Sequence, residues 1–202
     1  MKGILKMGLV LAIYATAACV GLALVYAATK DIISGNEQKA LDAALKGLFS
    51  DSGISFEDIT GTISSPDPLV TFEKQYAAYR DKDIVGAAIR SSRGSYGGPI
   101  TVLTGISADG RISGVKILSH QDTPGLGANA ASETYYVNKP KKITFYGQFA
   151  GKSVGDPFEV KNDVDAITAS TITSRAVADS VKAAGTAVGE WLAAMPRAGG
   201  AE

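Results

Sequence analysis

The chain has 202 residues, with 20 Lys plus Arg set against 20 Asp plus Glu, one cysteine and one histidine. A formal net charge of zero with no basic face argues against nucleic-acid binding. Cys19 and His120 alone cannot form an internal disulfide, a Cys/His metal site, an iron–sulfur cluster or a c-type haem attachment, so any redox cofactor must be organic.

From Met7 to Ala28 the chain reads MGLVLAIYATAACVGLALVYAA, without a charged residue. As a helix rising about 1.5 Å per residue it would be roughly 33 Å long, enough to span a hydrocarbon core of about 30 Å. Lys2 and Lys6 precede it, while Lys30 and Asp31 cancel after it. The positive-inside rule therefore places the N-terminus in the cytoplasm and the rest of the chain outside, which makes this a single-pass membrane anchor. A cleaved signal peptide is the competing reading, but the apolar run outlasts the roughly 7–15 residues of a signal core. Cys19 then counts as a small apolar residue within the membrane.

Asn36 to Phe49 carries apolar residues at helical spacing and predicts a linker helix capped by Asn36. Residues 50–68 are punctuated by Gly, Ser and Pro and predict loop or short strands. Strands are expected over 84–89, 100–106 and 112–118, the last two joined by an Asp-Gly turn at Asp109-Gly110, which is a strong hairpin signal. Gly94, Gly97, Gly98 and Pro99 form a Gly-rich loop. A short helix over 129–137 and strands over 143–149 and 158–160 follow. From Ile172 apolar residues recur at Ala176, Val177, Val181, Ala184, Val188, Trp191 and Leu192, predicting an amphipathic helix that stops near Pro196. The expected fold class is α+β: an anchor over 1–30, a helical linker and the start of the soluble domain over 31–66, and one domain over 67–202.

Two segments could carry chemistry. Asp165 to Ser174 places Thr168, Ala169, Ser170, Thr171, Thr173 and Ser174 at the start of the last helix. Free backbone N–H groups and the helix dipole there favour an anion such as phosphate, although the same hydroxyls could be simple helix caps. His120-Gln121-Asp122-Thr123-Pro124-Gly125-Leu126-Gly127 follows a strand, and its glycines would let backbone approach a flat ligand closely; Pro-Gly is equally an ordinary turn. Tyr135, Tyr136 and Tyr146 read as core residues rather than ligand contacts. No nucleophile–base pair can be assembled, so no catalytic residue is assigned.

The two segments together, with the anchor, the Ser95-Tyr96-Gly97-Gly98-Pro99-Ile100 loop and the Asp-Gly hairpin, resemble the RnfG family. Its members are flavin-bearing subunits of Rnf-type ferredoxin:NAD oxidoreductases; the resemblance to the NqrC family is weaker. The family's flavin-attachment motif reads Asp-x-x-[Ser/Thr]-[Gly/Ala]-[Ala/Ser]-Thr, which Asp165, Thr168, Ala169, Ser170 and Thr171 match. Its commonest core is Ser-Gly-Ala-Thr, and members often carry Glu at the position of Asp122.

The resemblance implies that Thr171 carries FMN through a phosphoester. A separate flavin transferase would attach it, taking FMN from FAD and releasing AMP. Thr173 and Ser174 would donate to the phosphate, and Thr123, Pro124, Gly125, Leu126 and Gly127 would pack on the isoalloxazine ring, with Asp122 in the same loop. His120 stands between a role beside the flavin and a structural role at a strand end. The chain would serve as the redox subunit of an ion-translocating membrane complex rather than a complete enzyme, with the other subunits and the bilayer at residues 7–28 as partners. The alternatives are an NqrC-type subunit, a stand-alone extracellular flavin shuttle, and a non-redox anchored scaffold or sensor.

Overall fold

The computed structural model describes residues 2–49 and 53–195, and the chain divides into two compact units, Met1–Asp42 and Ala43–Glu202. Helix α1 runs without a break over Lys2–Leu48. The linker helix expected from Asn36 is therefore the continuation of the anchor. Gly35 costs a helix interior only about 1 kcal/mol, and the polar residues before it turn inward: Thr29 Oγ1 donates to the Val25 carbonyl at 2.8 Å and Ser34 Oγ to that of Asp31 at 3.0 Å. The helix is long and apolar enough to cross a membrane, with a mean hydropathy of 2.3 over its most apolar window and none of that window buried within the molecule. A helical stretch apolar on all sides and left uncovered in this way suits lipid rather than water.

The second unit is built on a five-stranded antiparallel meander: β1 (Ile54–Asp58), β2 (Val70–Arg80), β3 (Asp83–Gly94), β4 (Pro99–Ser107) and β5 (Ile112–Ser119), hydrogen-bonded in sequence order. Three of these match the expected strands. The sequence reading missed β2, because Glu73, Lys74 and Gln75 interrupt its apolar alternation. Glu73 is paired with Arg90 of β3 at 2.7 Å, and Gln75 is buried but satisfied, its Nε2 donating to the Ile63 carbonyl and its Oε1 accepting the Ile63 N–H. Polar residues are tolerated inside a strand when their partners are supplied from elsewhere in the fold.

Helix α2 (Thr171–Ala194) packs on one face of the sheet. Ile100, Val102 and Ile106 of β4 join Val177, Val181, Ala184 and Val188 of α2 in one core, with Phe145, Phe149 and Phe158 beneath the connecting loops. Leu103, on the opposite side of β4, is equally buried. On that face the absence of side chains at Gly105 and Gly114 admits Leu48: a Cβ at either position would stand 3.1 Å from a Leu48 side-chain atom. Pro196, the expected stop of α2, lies outside the described residues.

The segment between β5 and α2 departs most from expectation. In place of a helix over 129–137 there is a 3-10 helix over Gly127–Ala131 and a short strand β6 (Tyr136–Asn138). In place of a strand over 143–149, a two-residue β7 (Ile143–Thr144) pairs with β6 and leads into a 3-10 helix at Tyr146–Phe149. Residues 158–160 form no strand; Val160 makes an isolated bridge to Val164. This stretch folds around side-chain anchors instead of ladders. Asp163 accepts the N–H groups of Phe158 and Glu159 and pairs with Lys152 at 3.1 Å. Burial works against its ionisation, but Lys152 and those N–H groups hold its carboxyl below the usual carboxylate range.

Candidate functional site

A cavity of about 470 Å³ opens where three segments meet. The β3–β4 turn contributes Tyr96; the loop after β5 contributes Asp122, Thr123, Leu126 and Gly127; the start of α2 contributes Ala169, Ser170, Thr171 and Ile172. Its size falls in the roughly 300–1,000 Å³ range of small-molecule sites. Both segments singled out in the sequence therefore line one space, although about 40 residues separate them.

Asp122 ties the three walls together. It is 6% exposed; Ser95 Oγ donates to its Oδ2 at 2.6 Å and the Gly97 N–H to its Oδ1 at 2.7 Å. Thr173 Oγ1 lies 3.1 Å from Ser95 Oγ and 3.3 Å from Ser170 Oγ, linking the carboxylate to the helix start. Burial of Asp122 opposes its charge, yet the Ser95 hydroxyl, the Gly97 N–H and the Thr173 hydroxyl hold its carboxyl below the ordinary range. It is thus an anion fully supplied with donors at neutral pH.

The two glycines of the loop serve different ends. Gly125 has φ +79 with open space about it, so backbone conformation requires it. Gly127 is there for closeness, since a Cβ would fall 2.6 Å from Thr173 Oγ1 and 2.7 Å from Asp122 Cβ. Asn129 Nδ2 donates to the Gly125 carbonyl and holds the turn.

The helix start is set by Ser174, which is fully buried: its Oγ accepts the Ile167 N–H at 3.0 Å and donates to the Ser170 carbonyl at 2.9 Å. Ser170 occupies the cap position without a side-chain capping bond. The N–H groups that a helix leaves unpaired in its first turn thus receive no cap from the Ser170 side chain, and such groups favour an anion. Thr168 is held outside the cavity by Tyr135, whose hydroxyl accepts the Thr168 N–H at 3.2 Å and donates to Thr168 Oγ1 at 3.5 Å. Of the five hydroxyl residues from Thr168 to Ser174, only Thr171 both lines the cavity and makes no side-chain hydrogen bond among the described residues.

Ala169 adopts φ +59, a left-handed conformation costing a residue with a Cβ roughly 1–2 kcal/mol. Glycine avoids that strain but loses about 0.5–1 kcal/mol of chain entropy. Ala169→Gly is accordingly expected to raise stability by about 0.5 kcal/mol, read as a higher urea midpoint at unchanged slope. Tyr135→Phe removes the acceptor of the Thr168 N–H and should cost about 1 kcal/mol by the same measurement.

The remaining predicted residues lie around the cavity without lining it. Thr173 and Ser174 are buried behind its wall and bonded inward. Pro124 and Gly125 form the outer turn of the loop, and the exposed Asp165 is gripped by its backbone, through Gln148. His120 is half-buried, and its Nδ1 is buried without a hydrogen-bond partner among the described residues. Tyr136 belongs to β6, and Tyr146 lies beneath Lys116 Nζ, 5.7 Å from the ring centroid.

Two lining residues escaped the sequence reading. Ile172 fits the apolar stripe of α2 by spacing but is 56% exposed on the cavity wall. Tyr96 sits in the Gly-rich loop that helps carry the family resemblance, but the sequence reading does not single it out as a site residue there.

Residues 1–48 match the family model of the RnfG N-terminal region, and residues 95–186, which include every lining residue, match that of the FMN-binding domain. The chain is 33% identical over 193 residues to the G subunit of the ion-translocating oxidoreductase complex of Vibrio vulnificus, covering 90% of this chain and 88% of that one. It is 31% identical over 196 residues to the G subunit of the Na(+)-translocating ferredoxin:NAD(+) oxidoreductase complex of Acetobacterium woodii, covering 89% of each. The corresponding G subunit of an ion-translocating oxidoreductase complex from Methanosarcina acetivorans is 30% identical over 188 residues, with 91% and 93% covered. With its N-terminal region, its FMN-binding domain and nearly its whole length matched in this way, the chain belongs to the RnfG family, the G subunits of ion-translocating oxidoreductase complexes.

Proposed function

We propose that this chain is the flavin-carrying electron-transfer subunit of a membrane-bound, ion-translocating ferredoxin:NAD oxidoreductase complex, with FMN joined by a phosphoester to Thr171. The observation that carries this reading is the Thr171 hydroxyl, free of hydrogen bonds among the described residues, on the wall of a cavity at an uncapped helix start. The neighbouring hydroxyls are committed: Thr168 to Tyr135, Ser170 to Thr173, and Ser174 to the backbone of the loop. A hydroxyl without competing bonds can be presented to an incoming phosphorus centre. In a transfer from FAD, a Thr171 Oγ–P bond would replace the pyrophosphate P–O bond, with AMP as the leaving group and the hydroxyl proton passing to the flavin transferase.

The residues present suit the group. The N–H groups at the head of α2 favour the remaining phosphodiester charge, and Tyr96, Leu126 and Ile172 give apolar surface for a flat ring. Ala169, Ser170 and Gly127 add no bulky side chain. When bound, FMN supplies one- and two-electron transfer, while the protein contributes orientation, burial and electrostatics. Asp122 and Thr173 hold the three walls in register, and Asp165, Thr168 and Ser174 shape the loop that delivers Thr171.

In this reading α1 crosses the cell membrane with its N-terminus in the cytoplasm, and the flavin domain works on the outer side among the integral subunits of the complex. A covalent link keeps the cofactor where free FMN is scarce, and the anchor raises its effective concentration near neighbouring carriers. Coexpression with a flavin transferase, with in-gel flavin fluorescence after SDS, tests the attachment. Co-purification with integral membrane subunits tests the assembly.

A further inference from the structure

Tyr96 stands at the tip of the β3–β4 hairpin and is 76% exposed, a large aromatic ring on the lip of the cavity. Its backbone is firmly placed. The Ser95 N–H donates to the Gly98 carbonyl at 2.8 Å and closes the turn. Its neighbours on either side are both bonded to the same buried carboxylate, Ser95 through its hydroxyl and Gly97 through its N–H. Gly97 lies so close to the next loop that a Cβ would fall 2.3 Å from the Gln121 carbonyl oxygen, and Gly98 has φ +142. A turn this tightly tethered holds its one large side chain at the cavity mouth, where no ring or hydrogen-bond contact within the described residues accounts for it. Leu126, 42% exposed, and Ile172, 56% exposed, line the same cavity from the other two segments.

We propose that the phenol ring of Tyr96 is a stacking surface for the isoalloxazine ring, held in place by the tether of Ser95 and Gly97 to Asp122. The proposal rests on the reading that FMN is joined to Thr171, and it adds a ligand-positioning residue to that site. Aromatic pairs gain from offset stacking beyond simple area burial, and an exposed tyrosine on a rigid turn loses little freedom in forming such a pair. Tyr96 thereby favours a flat aromatic ring over any other group delivered to Thr171.

The test uses the full chain matured with a flavin transferase, as wild type, Tyr96→Phe and Tyr96→Ala. A tyrosine in contact with a flavin quenches its emission by reversible electron transfer from the phenol, whereas phenylalanine is too hard to oxidise to do so. Fluorescence in SDS, where the fold is gone, measures loading alone; the ratio of native to SDS fluorescence measures the contact. The expected result is a several-fold rise in that ratio for both variants. Iodide quenching of the native flavin should strengthen in Tyr96→Ala and stay near wild type in Tyr96→Phe, which keeps a ring over the flavin.

Equal ratios and equal iodide access in all three loaded proteins would overturn the proposal while leaving the attachment at Thr171 intact. Slower loading of Tyr96→Ala with both optical readouts unchanged would also overturn it, making Tyr96 a contact for the transferase. No SDS-resistant fluorescence even in wild type would remove the flavin reading itself, and the stacking role with it.

Discussion

Thr171→Ala, coexpressed with a flavin transferase, is expected to lose all flavin fluorescence that survives SDS, while Thr171→Ser keeps it. The alanine variant removes the one hydroxyl of the helix start that lines the cavity and is unbonded among the described residues. The adjacent Ser170 is not expected to stand in, because it is buried and its Oγ lies 3.3 Å from Thr173 Oγ1. Serine supplies the same oxygen and forgoes only a methyl group. The result is interpretable because the substitution is structurally mild. Thr171 is partly exposed at the first position of α2 and bonds no other side chain among the described residues, so the stability change should stay within about 0.5 kcal/mol. Retained fluorescence in Thr171→Ala would move the attachment elsewhere, with Thr168 and Ser170 the residues to substitute next.

Asp122→Ala is expected to be the most damaging single change at the cavity. It removes the acceptor of the Ser95 hydroxyl and of the Gly97 N–H, leaving Thr173 only its hydroxyl contacts to Ser95 and Ser170, and a donor left without its partner costs about 1–3 kcal/mol. With some relaxation and hydration of the half-buried Ser95, a loss of about 2–4 kcal/mol should appear as a lower urea midpoint. SDS-resistant flavin should fall in parallel, since the three walls lose their common tether. Asp122→Asn separates shape from charge. Its amide oxygen can still accept from Gly97 while Ser95 rotates its hydroxyl to accept from the new NH2, so its cost should be nearer 1 kcal/mol.

The pH dependence has a definite sign. The folded-state carboxyl of Asp122 is held below its unfolded value of about 3.9. Its contribution is therefore fully present above that value and is lost as pH falls through the lower, folded one. Wild type should lose stability on acidification below about pH 4 more steeply than Asp122→Asn, whose amide does not titrate. Parallel acid limbs in the two proteins would show that the carboxylate charge contributes nothing there.

Much of this molecule is legible from local pattern. The uncharged run from Met7 to Ala28, the strands around the Asp109-Gly110 turn, and the helix opening at Thr171 each follow from a periodicity contained within one short window. The hydroxyl-rich start of α2 and the Thr-Pro-Gly-Leu-Gly loop each read alone as helix caps and an ordinary turn, and only the family resemblance joins them as candidates. Elements whose stability comes from distant partners are not legible. Strand β2 carries Gln75 inward only because Ile63 satisfies both ends of its amide. Residues 127–149 alternate between 3-10 turns and two short strands because Phe145, Phe149 and Phe158 bury their rings together, and no period of 2 or 3.6 records that.

Residue order is thus enough to establish an apolar helix able to span a membrane, an α+β class and a hydroxyl-rich helix start. Which of those hydroxyls is free is a matter of tertiary packing. So is the inward turn of Thr173 and Ser174 toward Asp122 and the loop backbone, and the wall that Tyr96 and Ile172 share with Thr171. A hydroxyl's availability depends on what else bonds it. Those partners, Tyr135 for Thr168 and Ser95 with Asp122 for Thr173, lie more than 30 positions away and are brought near by the packing of α2 on the sheet.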